Sequence, residues 1–330
     1  MQRVYLDQNK WIDLSRAAHG RKDGDRFHEA LDVARYGVEH GLASFPLSSI
    51  HYMETLKRRD ASSRHRLAVV MAELSKMHAM APPDMVVPAE LDAALIRRYC
   101  KPLEPRPLRV FGVGHRHAFG LPEGRYRLPE DAVIAPEQRQ AVEEWANSVL
   151  ELGALAGPPE GVPVPGMKEN DYYRAFGDRY VRGEKRLADG IAEHRVNKKV
   201  LKEWVAASEV VDIVDALNEA FDRARISEDE SRDLETAEGL TSLLLDLPSR
   251  VITYQLRRLR HENPKTSWKP TDLEDVSALA VAVAYCDVVV TERHWSHLAR
   301  RGQLDQRFST TIISSVSQLP GVLARAKPED

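Results

Sequence analysis

The hydrophobic pattern at the start of the chain alternates between strand and helix. Residues 4–6 form a short apolar run of strand-forming side chains, and a helix-like stretch follows over residues 11–18. Residues 25–39 then carry apolar positions at helical spacing, up to a helix stop at Gly41. This alternation predicts an α/β protein.

A second strand and helix are predicted next. Residues 42–47 are typical of a short strand at a sheet edge, because Pro46 cannot donate to a central ladder. Ser48 or Ser49 can cap the helix that follows. That helix would carry Glu54 in its opening turns.

The last quarter of the chain returns to the same alternation. A helix start at residues 270–272 precedes a mostly small, apolar helix that extends to about residue 283. Residues 287–291 are typical of a buried parallel strand, and residues 310–313 of a final one. Both ends of the chain therefore predict one parallel sheet.

The middle of the chain is mainly helical. A helix is predicted over residues 62–80, and helical spacing returns over 200–221 and 240–247. The glycine- and proline-rich residues 157–166 break any regular element, as a linker or a loop would. We therefore predict a discontinuous α/β domain, residues 1–59 and 246–330, interrupted by a mainly helical insertion, residues 60–245, which can form a separate subdomain.

Composition narrows the class of protein. The chain has 330 residues, enough for a sizeable core, and 47 Lys+Arg against 50 Asp+Glu give a net charge of −3. Without a global basic field, any surface for nucleic acid must be local. Cys100 and Cys286 are too few for a disulfide framework, and the longest apolar run, 278–286, is too short for a membrane span. These features favour a soluble, cytoplasmic protein with no membrane partner.

Four acidic residues lie where a predicted strand ends or a predicted helix begins: Asp7, Glu54, Asp275 and Glu292. In a parallel α/β sheet such positions face one edge of the sheet. Carboxylate oxygens are the ligands that Mg²⁺ and Mn²⁺ prefer. The pattern therefore predicts a divalent metal site built by residues from both ends of the chain.

The lengths of the predicted helix and strand between Asp275 and Glu292 indicate that these two residues lie close together. A helix from Asp275 to Cys286 travels about 16 Å, and an extended strand from Cys286 to Glu292 returns about 16 Å. The two displacements nearly cancel. Right-handed crossovers would bring Asp7 and the start of the Glu54 helix to the same edge.

Three stretches resemble the acidic blocks of PIN-like domains: VYLDQNKWIDL, LSSIHYMETLK and TDLEDVSALAVAVAYCDVVVTERHW. The resemblance implies a three-layer αβα fold and a metal-dependent nuclease, most often one that acts on RNA. It implies that Asp7, Glu54 and Asp275 bind metal, that Asn9 is their polar partner, and that Glu292 is the fourth acid. The chain departs from the pattern because the fourth position is usually Asp and because the insertion is long.

Each of these acids also has an ordinary interpretation. Asp7 can be a helix N-cap, Glu54 a solvated helix residue and Glu292 a surface acid. Asp272 can cap the helix that carries Asp275, or it can join the site. The joint placement of the acids favours the metal site, with Asp275 as ligand and Asp272 as cap or supporting residue.

Basic and aromatic residues before the acidic helix can guide a phosphate backbone. In that case a nucleic-acid backbone would follow the cations while Trp268 stacks a base. The alternative is a solvated helix face. Arg293 and His294, beside Glu292, are further candidates for substrate contact. The basic residues before the helix are Arg250, Arg257, Arg258, Arg260, Lys265 and Lys269.

The sequence thus predicts a nuclease that uses Mg²⁺ or Mn²⁺, with RNA favoured over DNA as substrate. The insertion would shape substrate access, or mediate homo-oligomers or contact with a protein partner. One alternative is a catalytically degenerate PIN-like module that binds nucleic acid or a protein. A phosphatase with an aspartyl nucleophile is disfavoured, because it needs a second Asp where this chain has Asn9.

Overall fold

The computed structural model describes residues 1–158, 169–263 and 267–324, and for residues 169–177 it describes the backbone alone. Its first half has the following elements, with a 3-10 helix at Lys22–Phe27: β1 (Gln2–Leu6), α1 (Gln8–Ala18), α2 (His28–Glu39), β2 (Ala43–Ser44), α3 (Ser49–Leu56), α4 (Ala61–Ser75), β3 (His78–Met80), α5 (Pro83–Tyr99), β4 (Phe111–Val113), α6 (Gly114–Ala118) and α7 (Pro136–Ala156).

The second half is helical until its last strands, and it has 3-10 helices at Arg232–Glu235 and Val316–Gln318. Its elements are α8 (Glu169–Glu193), α9 (Lys198–Ala224), α10 (Ala237–Leu245), α11 (Pro248–His261), α12 (Pro270–Tyr285), β5 (Val288–Val290), α13 (Arg293–Arg301), α14 (Leu304–Phe308), β6 (Thr311–Ile313) and α15 (Leu319–Leu323).

A four-stranded parallel sheet joins the two ends of the chain. Its strand order is β2-β1-β5-β6, so β2 lies at an edge as predicted, although it spans only Ala43–Ser44 of the predicted residues 42–47. Leu6 pairs with Val290, and Val290 with Ile313, so three strands end level with one another. The prediction of an α/β protein with a parallel sheet from both ends is confirmed.

Successive residues of β1 face two different cores. Val4 and Leu6 belong to one cluster of buried apolar residues, with Trp11 of α1. Tyr5 belongs to a second cluster, with the small residues of α12 and Trp295. The period of two along a strand puts alternate side chains on opposite faces, so helices pack on both sides of the sheet.

Two helix boundaries differ from the predictions. The helix predicted over 62–80 ends at Ser75, because Lys76 and Met77 adopt left-handed backbone conformations and residues 78–80 form β3, antiparallel to β4. The helix predicted from residue 25 begins at His28, after a 3-10 turn. In both places a turn interrupts an apolar spacing that is otherwise helical.

The central segment contributes to more than one core. Leu67 and Met71 of α4 lie in the same apolar cluster as Val4 and Leu6 of β1. Helices α5, α9 and α10 form a third cluster, which includes Tyr254 of α11. The proposed division at residues 59 and 245 stays a prediction.

The glycine-rich break predicted at 157–166 lies mostly outside the described residues. Helix α7 ends at Ala156, and Gly157 follows with φ +72°. A Cβ there would lie 2.4 Å from Leu56 Cδ2, so this position requires glycine. Among the helices that the structure describes, none is long and apolar enough to cross a membrane.

Candidate metal centre

Asp7 and Glu292 follow the ends of adjacent strands. The Asp7 backbone N–H donates to the Val290 carbonyl at 2.9 Å, which continues the β1–β5 ladder by one residue. The Thr291 hydroxyl donates to Asp7 Oδ2 at 3.2 Å. Asp7 is the N-cap of α1 and Glu292 the N-cap of α13, so both acids lie at positive helix ends.

His51 fixes the helix that carries Glu54 against β1. The backbone N–H of Ser48 donates to His51 Nδ1 at 2.9 Å, so the proton of the neutral ring is on Nε2. His51 Nε2 donates to the Leu6 carbonyl at 2.8 Å, one residue before Asp7. Burial lowers the pKa of His51 to about 4, which keeps the ring neutral. Glu54 lies one turn further along α3.

Asp275 occupies the second turn of α12, as Glu54 does in α3. The indole N–H of Trp295 donates to Asp275 Oδ2 at 2.8 Å. Trp295 is 1% exposed and belongs to the core between α12 and α13. A buried donor therefore orients this carboxylate.

The four predicted acids line one open cavity of about 670 Å³, together with Asn9. Asp7 and Glu292 come from strand ends, whereas Glu54 and Asp275 come from helices on the same edge of the sheet. Positive or polar groups line the same cavity: Arg260, Lys269, Thr271 and His294. The structure thus brings together all four acids that the sequence singles out.

The acids in this cavity repel one another. Burial raises the pKa of Asp275 to about 8, with a further contribution from the negative charge of Asp7. Burial, with Glu274 and Asp7 as negative neighbours, raises the pKa of Glu54 to about 7. Burial also raises the pKa of Asp7. A bound cation would relieve this accumulation of charge.

Asn9 shows that the cavity fits a hard cation. Its Nδ2 donates to Glu292 Oε1 at 2.8 Å, which leaves Oδ1 buried without a hydrogen-bond partner. Carboxylate and amide oxygens are the donors that Mg²⁺ and Mn²⁺ prefer. Within residues 1–158, 169–263 and 267–324, however, no three acidic, histidine or cysteine side chains form a closed ligand set.

Comparisons of the chain with protein-family models, curated proteins and solved structures give no match.

Asp272 has two roles, both of them supporting. Its Oδ2 accepts from the Lys269 backbone N–H at 2.6 Å, as an N-terminal acid of α12 does. The same oxygen accepts from Arg260 Nη2 at 2.6 Å. This ion pair holds the Arg260 guanidinium between the rings of Trp268 and Trp295, 4.5 and 5.1 Å from their centroids.

The predicted substrate surface is wrong at Arg257 and Trp268. Arg257 is 3% exposed and forms ion pairs with Glu184 and Glu209, so its charge is already compensated. Trp268 is 9% exposed and packs edge to face on Tyr180, so neither face is open to a base. Both residues are structural, because burial removes them from any ligand.

The other basic candidates are divided between cavity and surface. Arg260 and Lys269 line the cavity, and so does His294, whose Nε2 accepts from Arg260 Nη1 at 3.0 Å. Burial and Arg260 lower the pKa of His294. Arg293 is exposed and does not line the cavity. Arg250 and Arg258 form ion pairs with Glu209 and Glu262, and Lys265 lies outside the described residues.

Sequence reasoning missed two donors at this site. Thr291 contacts Asp7, and its position directly after a buried strand was a usable clue. Trp295 lies one helical turn after Glu292, but its contact with Asp275 depends on the angle between α12 and α13. Side-chain spacing along one helix does not predict such an angle.

Proposed function

We propose that this chain is a PIN-like, metal-dependent nuclease that hydrolyses phosphodiester bonds, with RNA ahead of DNA as substrate. The parallel sheet with helices on both faces would then be a three-layer PIN-like domain. The observation that carries the proposal is the convergence of Asp7, Glu54, Asp275 and Glu292 on one cavity from three separate parts of the chain.

The donor set fits Mg²⁺ or Mn²⁺, and Asp7 and Asp275 would bind the ion with Glu54, Glu292 and the free amide oxygen of Asn9. Such an ion would supply electrostatic stabilisation of the charge that develops on the phosphate oxygens. The positive ends of α1 and α13 add to this stabilisation.

The chain's own residues have distinct tasks in this proposal. Thr291 and Trp295 donate to Asp7 and Asp275 and so orient their carboxylates. Arg260, fixed by Asp272, lines the cavity with a guanidinium that can contact a phosphate of the substrate. Burial and the neighbouring acids raise the pKa of Glu54 to about 7, so a bound cation would have to displace a proton from this carboxylate near neutral pH.

Replacement of Asp7 by Asn tests the proposal. The change keeps the side-chain shape and removes a negative charge, so the protein should fold while Mn²⁺-dependent cleavage of a labelled RNA falls about a thousandfold. Asp287→Asn is the matched control, because Asp287 lies at the opposite end of β5, where it accepts from the Arg3 N–H. Cleavage by Asp7→Asn at the wild-type rate would reject the assignment.

A second candidate is a PIN-like module that binds nucleic acid or protein without cutting it. It is favoured by Glu292, which stands where the family usually has Asp, and by the net charge of −3, which gives the chain no overall basic field. Calorimetric titration with Mn²⁺ distinguishes the two candidates. If the chain is a binding module, the wild type and an Asp275→Asn variant should give the same heat.

A further inference from the structure

A second concave surface adjoins the acidic cavity along α1. It is lined on that helix by Ile12, Ser15, Arg16 and His19, and Ile12 also lines the acidic cavity. Residues three or four positions apart share one helix face. One face of α1 therefore leads from Asn9, in the acidic cavity, to the second surface.

The facing wall of this surface is rich in arginine. Arg58 and Arg66 come from the end of α3 and from α4, and Arg21 comes from the turn after α1. With Arg16, these residues form what we call the arginine groove. The hydroxyls of Ser15 and Ser63 also line it. The net charge of the whole chain is −3, so this concentration of cations is local.

Arg58 is incompletely satisfied by the protein. Its Nη2 donates to Ser63 Oγ at 2.8 Å, and its Nε is buried without a hydrogen-bond acceptor. The described ion pairs of this groove are made by Arg16, Arg21 and Arg66, and not by Arg58. A buried guanidinium N–H without an acceptor destabilises the folded protein. An oxygen of a bound anion would satisfy it.

The other arginines form ion pairs that an anion can replace. Arg16 and Arg21 share Asp23 at 3.2 and 3.3 Å, and Arg66 lies 3.8 Å from Asp60. These pairs have side chains that are 39–63% exposed, and exposed pairs contribute little. Arg16 also forms a less exposed pair with Asp13 at 3.3 Å, so Arg58 and Arg66 are the arginines that an anion can engage at least cost. Guanidinium groups with nearby hydroxyls match the oxygens of a phosphate.

The distance between the two surfaces matches a nucleic-acid strand. From Asn9 to Arg16 the helix rises only about 10 Å, so a strand bound in the acidic cavity reaches the groove within a few nucleotides. We propose that the arginine groove binds the phosphodiester backbone of a single-stranded polynucleotide, a few nucleotides from the bond cut in the acidic cavity. This inference rests on the proposed function and adds the direction in which the strand leaves.

Fluorescence anisotropy with labelled single-stranded RNA tests the groove, with EDTA present so that no cleavage occurs. The double variant Arg58→Ala/Arg66→Ala should bind a strand of about twelve nucleotides about tenfold more weakly than wild type. Its slope of log K against log salt should fall by about 1.4, because each phosphate contact on a single strand contributes about 0.7. A strand of about three nucleotides should show a smaller difference.

The matched control is Arg97→Ala/Arg179→Ala, which removes two exposed arginines that line neither cavity. It should bind as wild type does, and Arg58→Lys/Arg66→Lys should retain more affinity than the alanine variant. Circular dichroism checks that each variant is folded. Equal binding of RNA by the wild type and the alanine variant would overturn the proposal that the groove binds a polynucleotide. Equally tight binding of a polyglutamate of the same length would also overturn it.

These experiments distinguish the proposal that the groove binds RNA from the proposal that the protein is a nuclease. Normal Mn²⁺-dependent cleavage with no loss of affinity in the alanine variant rejects the groove and leaves the nuclease. Loss of affinity in the alanine variant, in a protein that cleaves nothing, supports the groove and rejects the nuclease.

Discussion

Trp295 donates its indole N–H to the Asp275 carboxylate at 2.8 Å, and this bond joins α13 to α12 at the wall of the acidic cavity. The donor is buried, so the carboxylate oxygen that accepts has a fixed direction. The other oxygen of Asp275 is left for a ligand. Orientation by a buried partner is a common property of metal-binding carboxylates.

Replacement of Trp295 by Phe should therefore impair the site more than the fold. The change removes the hydrogen bond and keeps an aromatic ring, and we expect RNA cleavage to fall about 10–100-fold. Trp11→Phe is the control, since Trp11 is fully buried but its indole N–H has no acceptor. Equal activity of the two variants would contradict an orienting role for Trp295.

Divalent cations should stabilise the folded protein, because they relieve the repulsion among the clustered acids. At about a hundred times its dissociation constant, a ligand adds about 2.7 kcal/mol, which corresponds to a rise of about 4 °C in Tm for a chain of this size. Differential scanning calorimetry with Mn²⁺, and then with EDTA, measures the shift. An Asp7→Asn/Asp275→Asn variant should show almost none, and a full shift in that variant would place the metal elsewhere.

The free energy of unfolding should fall at acidic pH, because His51 binds a proton more readily in the unfolded chain. Its pKa is about 4 in the folded protein against 6.5 in the unfolded chain, so the unfolded state binds the proton more tightly. The stability that depends on neutral His51 is present above about pH 6.5 and is lost as the pH falls toward 4, up to about 3 kcal/mol. Protonation at Nδ1 would oppose the Ser48 N–H.

Urea unfolding at several pH values measures this dependence. The His51→Gln variant should be less stable at neutral pH but should lose less stability between pH 6.5 and 4 than the wild type does. Parallel curves for the two proteins would show that another group causes the acid sensitivity.

Removal of Arg257 should destabilise the protein without altering the chemistry of the cavity. Arg257→Gln would leave Glu184 and Glu209 buried with less compensation, and the loss of one partner from such a network costs about 3–5 kcal/mol. Urea unfolding measures the loss. Arg232→Gln breaks an exposed pair with Asp229 and should cost less than about 1 kcal/mol. If Arg257→Gln lowers the affinity for RNA but not the free energy of unfolding, then Arg257 contacts the substrate and is not structural.

The ends of the chain are predictable because their elements depend on local sequence. The run Val288–Val290 forms a strand, and the helix before it begins at Pro270, so Asp275 and Glu292 fall near one edge of the sheet. The length comparison needs only the rise per residue in a helix and in a strand. The same holds for Asp7, directly after β1.

The middle of the chain is less predictable because its outcome depends on distant partners. Met80 continues a helical spacing, yet it pairs with Phe111 in a two-stranded sheet. Arg257 lies on a helix face that the sequence presents as solvated, and α8 and α9 cover that face with Glu184 and Glu209. A pattern within one element does not identify the element that packs against it.

The junction of β1 with β5 has a consequence for synthesis. A ribosome synthesises Asp7 and Glu54 before the segment that carries Asp275 and Trp295. A nascent chain therefore lacks half of its acidic cavity until that later segment has emerged. For a nuclease, such a nascent chain beside its own messenger is inert, and activity begins only when β5 and β6 have joined β1.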